Sequence, residues 1–249
     1  METTKPIPLV AANWKMNGLT PALEVARAMA EGLGETPARV AVCPPATLLH
    51  RTAQALRGSP ILIGGQDCHA QPEGAFTGDV SAEMLADAGA TLVILGHSER
   101  RAAHGETDEI VRAKALAALR GGLEPLVCVG ETADERNAGR AVEIVTAQVL
   151  GSLAAELSGQ AFAVAYEPTW AIGTGATPTV AEIEEMHAAI RAALNGMFGA
   201  HGGSRPILYG GSVKPSNAAE ILRAEGVGGA LVGGASLKAA DFLGIVHAL

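Results

Sequence analysis

Short apolar runs recur along the chain at a regular pitch: Ile7–Ala12, Val40–Cys43, Ile61–Ile63, Thr91–Leu95, Leu126–Val129, Phe162–Tyr166, Ile207–Tyr209 and Ala230–Val232. Continuous apolar strands are buried on both faces, which predicts a parallel sheet covered by helices. The segments between them carry apolar residues at helical spacing. Thr20 followed by Pro21 reads as an N-cap with proline at the first helical position. Thr179 and Glu182 read as a capping box, with Val180, Ile183, Met186, Ile190 and Met197 along one helix face. Asn217 and Glu220 repeat the cap pattern more weakly. Strand–helix units of about 30 residues fit either an open doubly wound sheet or a closed barrel. Eight units in 249 residues favour the single (β/α)8 barrel. No linker, low-complexity tract or shift of composition interrupts the pattern, so 1–249 reads as one domain.

Composition narrows the partners. The net charge of −8 argues against nucleic acid or an anionic membrane. It leaves room for an anionic substrate in a locally positive site. No apolar run approaches the roughly 18 residues of a membrane span, and the N-terminus has no apolar leader core. Cys43, Cys68 and Cys128 are scattered, without a CxxC, and read as reduced thiols of a cytoplasmic protein. Cys128 lies inside an apolar run and reads as a small buried hydrophobe. With aromatics at 3%, core packing falls to Leu, Ile, Val and Ala.

Polar residues gather just after the apolar runs. Asn13, Lys15 and Asn17 follow the first, Gln66 and Asp67 the third, and His97, Ser98, Glu99 and Arg100 the fourth. Glu167 follows the sixth, Gly210-Gly211-Ser212 the seventh, and Gly233-Gly234 the eighth. In a barrel these strand ends share one face, where active sites sit. Pro168 stops its strand directly after Glu167, and a glycine-punctuated loop runs on to Thr179. An acid on a strand tip before a closing loop suits a general base, though a surface glutamate before an ordinary turn also fits. The paired glycines let backbone N–H groups approach an anion, or simply make tight turns. Lys15 reads as a fixed positive charge or a solvated lysine, and His97 as an electrophile and proton shuttle or a loop histidine. Glu99 and Arg100 could form a surface ion pair. His50, His69, His104, His187, His201 and His247 show no metal-ligand spacing and read as structural or surface residues.

NWKMN at 13–17, GHSERR at 96–101, AYEPTWAIGTG at 165–175, YGGSV at 209–213 and LVGGASL at 231–237 resemble the triosephosphate isomerase family. QDCHAQPEGAFTGDVS at 66–81 is similar to that family's long third loop, and the resemblance runs in order along essentially the whole chain. It implies a glycolytic and gluconeogenic isomerase that interconverts dihydroxyacetone phosphate and D-glyceraldehyde 3-phosphate without cofactor or metal. It implies Glu167 as the base between C1 and C2, His97 as carbonyl polariser and shuttle, and Lys15 as positive charge. Asn13 would position the substrate and Glu99 would support the site. Gly173, Ser212, Gly233 and Gly234 would hold phosphate, with Trp170 either anchoring a lid from Pro168 to Thr177 or packing as a plain core tryptophan. The third loop implies a homodimer, with Thr77 reaching the partner's pocket near Met16. Ala176 stands where relatives often have lysine, and Gly228 where they often have aspartate. Two other readings carry weight: a barrel isomerase for a larger sugar phosphate, and a catalytically silent phosphate-binding protein. A tight lid argues against the first; the presence of Glu167, His97 and Lys15 argues against the second.

Overall fold

A computed structural model describes residues 6–172 and 177–249. Its strands are β1 (Leu9–Asn13), β2 (Arg39–Cys43), β3 (Leu62–Gly65), β4 (Leu92–Leu95), β5 (Glu124–Val129), β6 (Ala163–Tyr166), β7 (Ile207–Tyr209) and β8 (Gly229–Val232). Each pairs in parallel with the next, and β8 closes on β1 through the register Leu9↔Gly229 to Ala12↔Val232. The result is the (β/α)8 barrel that the repeating pattern predicts.

Successive side chains on a strand point to opposite faces, so each strand feeds two cores. Leu9, Ile94, Leu126, Leu208 and Leu231 fill the barrel interior, with Ala41, Ala163 and Ala165 between them. Val10, Val42, Val93, Val127 and Val164 face outward against the helices. Burying each such aliphatic side chain contributes roughly 1.5–3 kcal/mol. Cys43 and Cys128 belong to the interior, and Cys68 is buried outside it. At the strand N-termini Arg39 closes the interior against Glu124 with two parallel hydrogen bonds of 2.8 and 2.7 Å.

Several boundaries depart from the sequence expectation. Ile7 is 63% exposed, and β1 begins at Leu9. β3 runs on through Gly64 and Gly65. A Cβ at Gly64 would lie 2.4 Å from Cys43 Sγ, so a bare backbone continues the strand where the neighbours already fill the space. Thr20 does not cap a helix: its hydroxyl accepts from Arg51 Nη1 at 2.9 Å, and it opens a 3-10 turn, Thr20–Ala22, before the helix Leu23–Gly32. The helix Pro215–Arg223 starts three residues earlier than the Asn217 cap predicts. Proline takes its first position, Lys214 becomes the N-cap, and Asn217 Oδ1 accepts the Lys214 N–H at 2.7 Å. The capping box of Thr179 and Glu182 opens the helix Val180–Phe198 as expected. Among the described residues no helix is long and apolar enough to cross a membrane.

Candidate active site

The C-terminal strand ends deliver the chemistry. Glu167 directly follows β6; its N–H donates to Val129 O at 2.8 Å, so the β5–β6 ladder fixes its backbone. Glycines flank it on both sides. A Cβ at Gly130 would fall 1.8 Å from Glu167 O, and one at Gly210 would fall 2.9 Å from Glu167 Cγ. The carboxylate is 1% exposed as a residue and fully engaged. Its Oε1 lies 2.9 Å from His97 Nε2, and its Oε2 accepts the Ser98 N–H at 2.9 Å. Burial presses the Glu167 carboxyl upward, but His97, the Ser98 N–H and Lys15 together hold it below the usual carboxylate range.

His97 stands just before the helix Ser98–His104, and its Nδ1 accepts the Glu99 N–H at 3.2 Å. That bond needs a lone pair on Nδ1, so the neutral ring carries its proton on Nε2, facing Glu167. Burial pushes the imidazole down, and the adjacent Glu167 carboxylate more than offsets this and raises it.

Lys15 adopts φ +53°, the one positive φ outside glycine among the described residues. Such a conformation costs on the order of 1–3 kcal/mol and persists only where neighbours impose it. Asn13 Oδ1 accepts the Lys15 N–H at 3.0 Å. Gln66 Nε2 donates to Lys15 O and to Cys43 O at 2.9 and 2.8 Å, tying the turn to β2. The Lys15 ammonium meets Glu99 Oε1 at 2.5 Å. Glu99 therefore pairs with Lys15 rather than with Arg100, which binds Asp67 and Glu106 instead.

Asn13, Lys15, His97, Glu167, Ser212, Gly233 and Gly234 line one cavity of about 780 Å³. Glu99 stands outside its lining and reaches it through Lys15. Gly173 and Ala176 lie outside the described residues. Trp170 sits at the start of the loop after Glu167, where its Nε1 donates to Glu131 Oε1 at 2.8 Å. Arg136 stacks over its ring at 5.0 Å. Glu131, fully buried, also accepts from Tyr166 Oη at 3.1 Å and Arg136 Nη1 at 2.9 Å. The sequence pattern does not single out Glu131, although its place just beyond β5 parallels that of Glu167 beyond β6. Among the described residues no group of three or more His, Cys, Asp or Glu side chains could hold a metal ion.

A buried carboxylate, an imidazole with its proton on the inward nitrogen, and a fixed ammonium around one cavity can move a carbon-bound proton next to a carbonyl. Comparison with known proteins points the same way. The family described as triosephosphate isomerase matches residues 8–249. The triosephosphate isomerase of Caulobacter vibrioides is 62% identical over 251 residues, covering 100% of this chain and 99% of its own. That of Afipia carboxidovorans is 60% identical, covering 97% of each. A crystal structure of triosephosphate isomerase from Bartonella henselae matches with a TM-score of 0.92 at 48% identity, covering 97% of this chain and 98% of that one.

Proposed function

This chain belongs to the triosephosphate isomerase family and is an isomerase, and we propose that it interconverts dihydroxyacetone phosphate and D-glyceraldehyde 3-phosphate with Glu167 as the base. The observation that carries this reading is the convergence of side chains and glycine turns from β1, β4, β6, β7 and β8 on one cavity. Glu167 takes the proton from C1, leaving an enediolate, and returns it to C2. His97, through Nε2–H, polarises the carbonyl and moves a proton between O2 and O1. Lys15 faces the developing negative charge; in other enzymes each such donor is worth about 2.7–4 kcal/mol. Asn13 holds the Lys15 turn and positions the substrate, while Glu99 braces the ammonium. The phosphate sits against Ser212, Gly233 and Gly234, with Gly173 as its contact on the lid.

Both oxygens of Glu167 are occupied by His97 and the Ser98 N–H. The base must therefore turn away from these partners before it can reach carbon. Once it has turned, His97 loses the carboxylate that raises it, and burial and Lys15 favour the neutral ring that polarisation requires.

A homodimer is part of this reading. The loop from Asp67 to Asp79 projects from the barrel with Phe76 41% exposed, and Met16 is 96% exposed beside a cavity lined by Pro45, Ala46 and Leu49. Thr77 of one copy would enter that cavity on the other. The buried thiols fit a reducing compartment such as the cytoplasm. A coupled assay of triose-phosphate interconversion on the purified protein tests the activity, and absence of turnover would refute it. Sedimentation at micromolar concentration tests the dimer, which a monomer would refute.

A further inference from the structure

The cavity that holds Glu167 and His97 does not end at the glycine turns. It continues outward to Lys214, Lys238 and Asp241. Lys214 immediately precedes the helix Pro215–Arg223, and Lys238 immediately precedes the helix Ala239–Val246, so each stands at the N-terminal end of a helix. Among the described residues, Lys15 and Lys114 are ion-paired, whereas neither Lys214 nor Lys238 has a carboxylate oxygen within 4 Å.

Lysine usage makes this cluster conspicuous. The chain has thirteen arginines but only five lysines, at positions 5, 15, 114, 214 and 238. Three of the five line this one cavity. Lysine carries a compact charge on a flexible stem, which suits a phosphate that can arrive in more than one orientation. The cavity, about 780 Å³, reaches past the glycine turns to these side chains. Asp241 opposes the two ammonium groups, which leaves the outer end with one net positive charge.

We propose that Lys214 and Lys238 form an outer anion subsite that takes the second phosphoryl group of a diphosphate whose first occupies the turn at Ser212, Gly233 and Gly234. The inference rests on the reading of that turn as a phosphate cradle. It makes diphosphates, free or at the end of an ester, competitive ligands of the isomerase site. Asp241 limits their affinity.

The test is competitive inhibition of triose-phosphate isomerisation at fixed ionic strength, with inorganic phosphate, pyrophosphate and ADP as probes. The three proteins are the unmodified chain, the double variant Lys214→Gln/Lys238→Gln, and Asp241→Asn. The readout is the ratio of phosphate to pyrophosphate inhibition constants. Two exposed charge pairs should make that ratio fall about three- to tenfold in the double variant. It should rise in Asp241→Asn. If ADP follows pyrophosphate, the subsite serves diphosphate esters; if only pyrophosphate responds, it serves the free anion. A ratio that is the same in all three proteins overturns the outer subsite and leaves the cradle intact. Failure of phosphate to compete with substrate in any of them overturns the cradle, and the outer subsite with it.

Discussion

His97 Nε2 and Glu167 Oε1 lie 2.9 Å apart, and the backbone N–H of the next residue, Ser98, holds the other oxygen of the same carboxylate. One short turn after β4 thus carries the proposed electrophile and also holds the proposed base in place. The two groups titrate as a unit, because each shifts the other's proton affinity.

Glu167→Asp withdraws the carboxylate by about one methylene, so it cannot span to both His97 and Ser98. A misplacement of ~1 Å in a reacting group can cost on the order of 10²-fold in rate. The expected outcome in the coupled assay is a kcat lower by about that factor with KM little changed. A loss confined to KM would contradict the assignment of the base.

Lys15 separates charge from backbone. Lys15→Ala should raise KM and lower kcat, because the fixed ammonium is gone. Lys15→Gly should lose activity in the same way yet melt at a higher temperature than Lys15→Ala. Glycine adopts φ +53° without the Cβ penalty, a difference of about 1 kcal/mol. Equal melting temperatures for the two variants would show that the turn is not strained.

The Arg39–Glu124 pair lies at the strand N-termini, far from the strand ends that carry the site. Removing one partner of a fully buried pair costs ~3–5 kcal/mol. Arg39 keeps 34% side-chain exposure, so Arg39→Met should cost less, about 2 kcal/mol. Arg39→Met/Glu124→Met should recover most of that loss in urea denaturation, with kcat unchanged in every variant. A double variant no more stable than the single one would mean that the pair does more than neutralise itself.

His187 is fully buried, and burial pushes its imidazole down to about 4. An unfolded histidine binds its proton near pH 6.5. The folded state therefore holds fewer protons than the unfolded state between these values, and stability falls as pH drops from about 6.5 to about 4. The full loss from this one group is roughly 3 kcal/mol. Urea midpoints measured from pH 7 to pH 4.5 should drop more steeply for the unmodified chain than for His187→Gln. Parallel curves would remove His187 as the cause.

The strands were legible because barrel strands are buried on both faces and read as unbroken apolar runs. Their ends were less so. β3 continues through Gly64 and Gly65 because Cys43 and its neighbours fill the space, which glycine does not announce. Thr20 looked like a cap until Arg51, thirty-one residues away, claimed its hydroxyl. In the site, the residues at strand ends were readable from position alone. The Ser98 N–H on Glu167, the hold of Gln66 on the Lys15 turn and the three bonds to Glu131 were not. Each depends on how distant turns pack against one another. The same holds for Glu99, whose partner proved to be Lys15 across 84 positions rather than its neighbour Arg100.

Gly130 and Gly210 perform no chemistry, yet they leave no room for a methyl group on either side of Glu167. In a saturation library of this chain, selected for activity, both positions should empty as completely as that of Glu167 itself. The pattern of depleted positions would then trace the mould around the carboxylate as well as the carboxylate. A protein designer transplanting this buried carboxylate to another barrel would have to transplant these two voids with it.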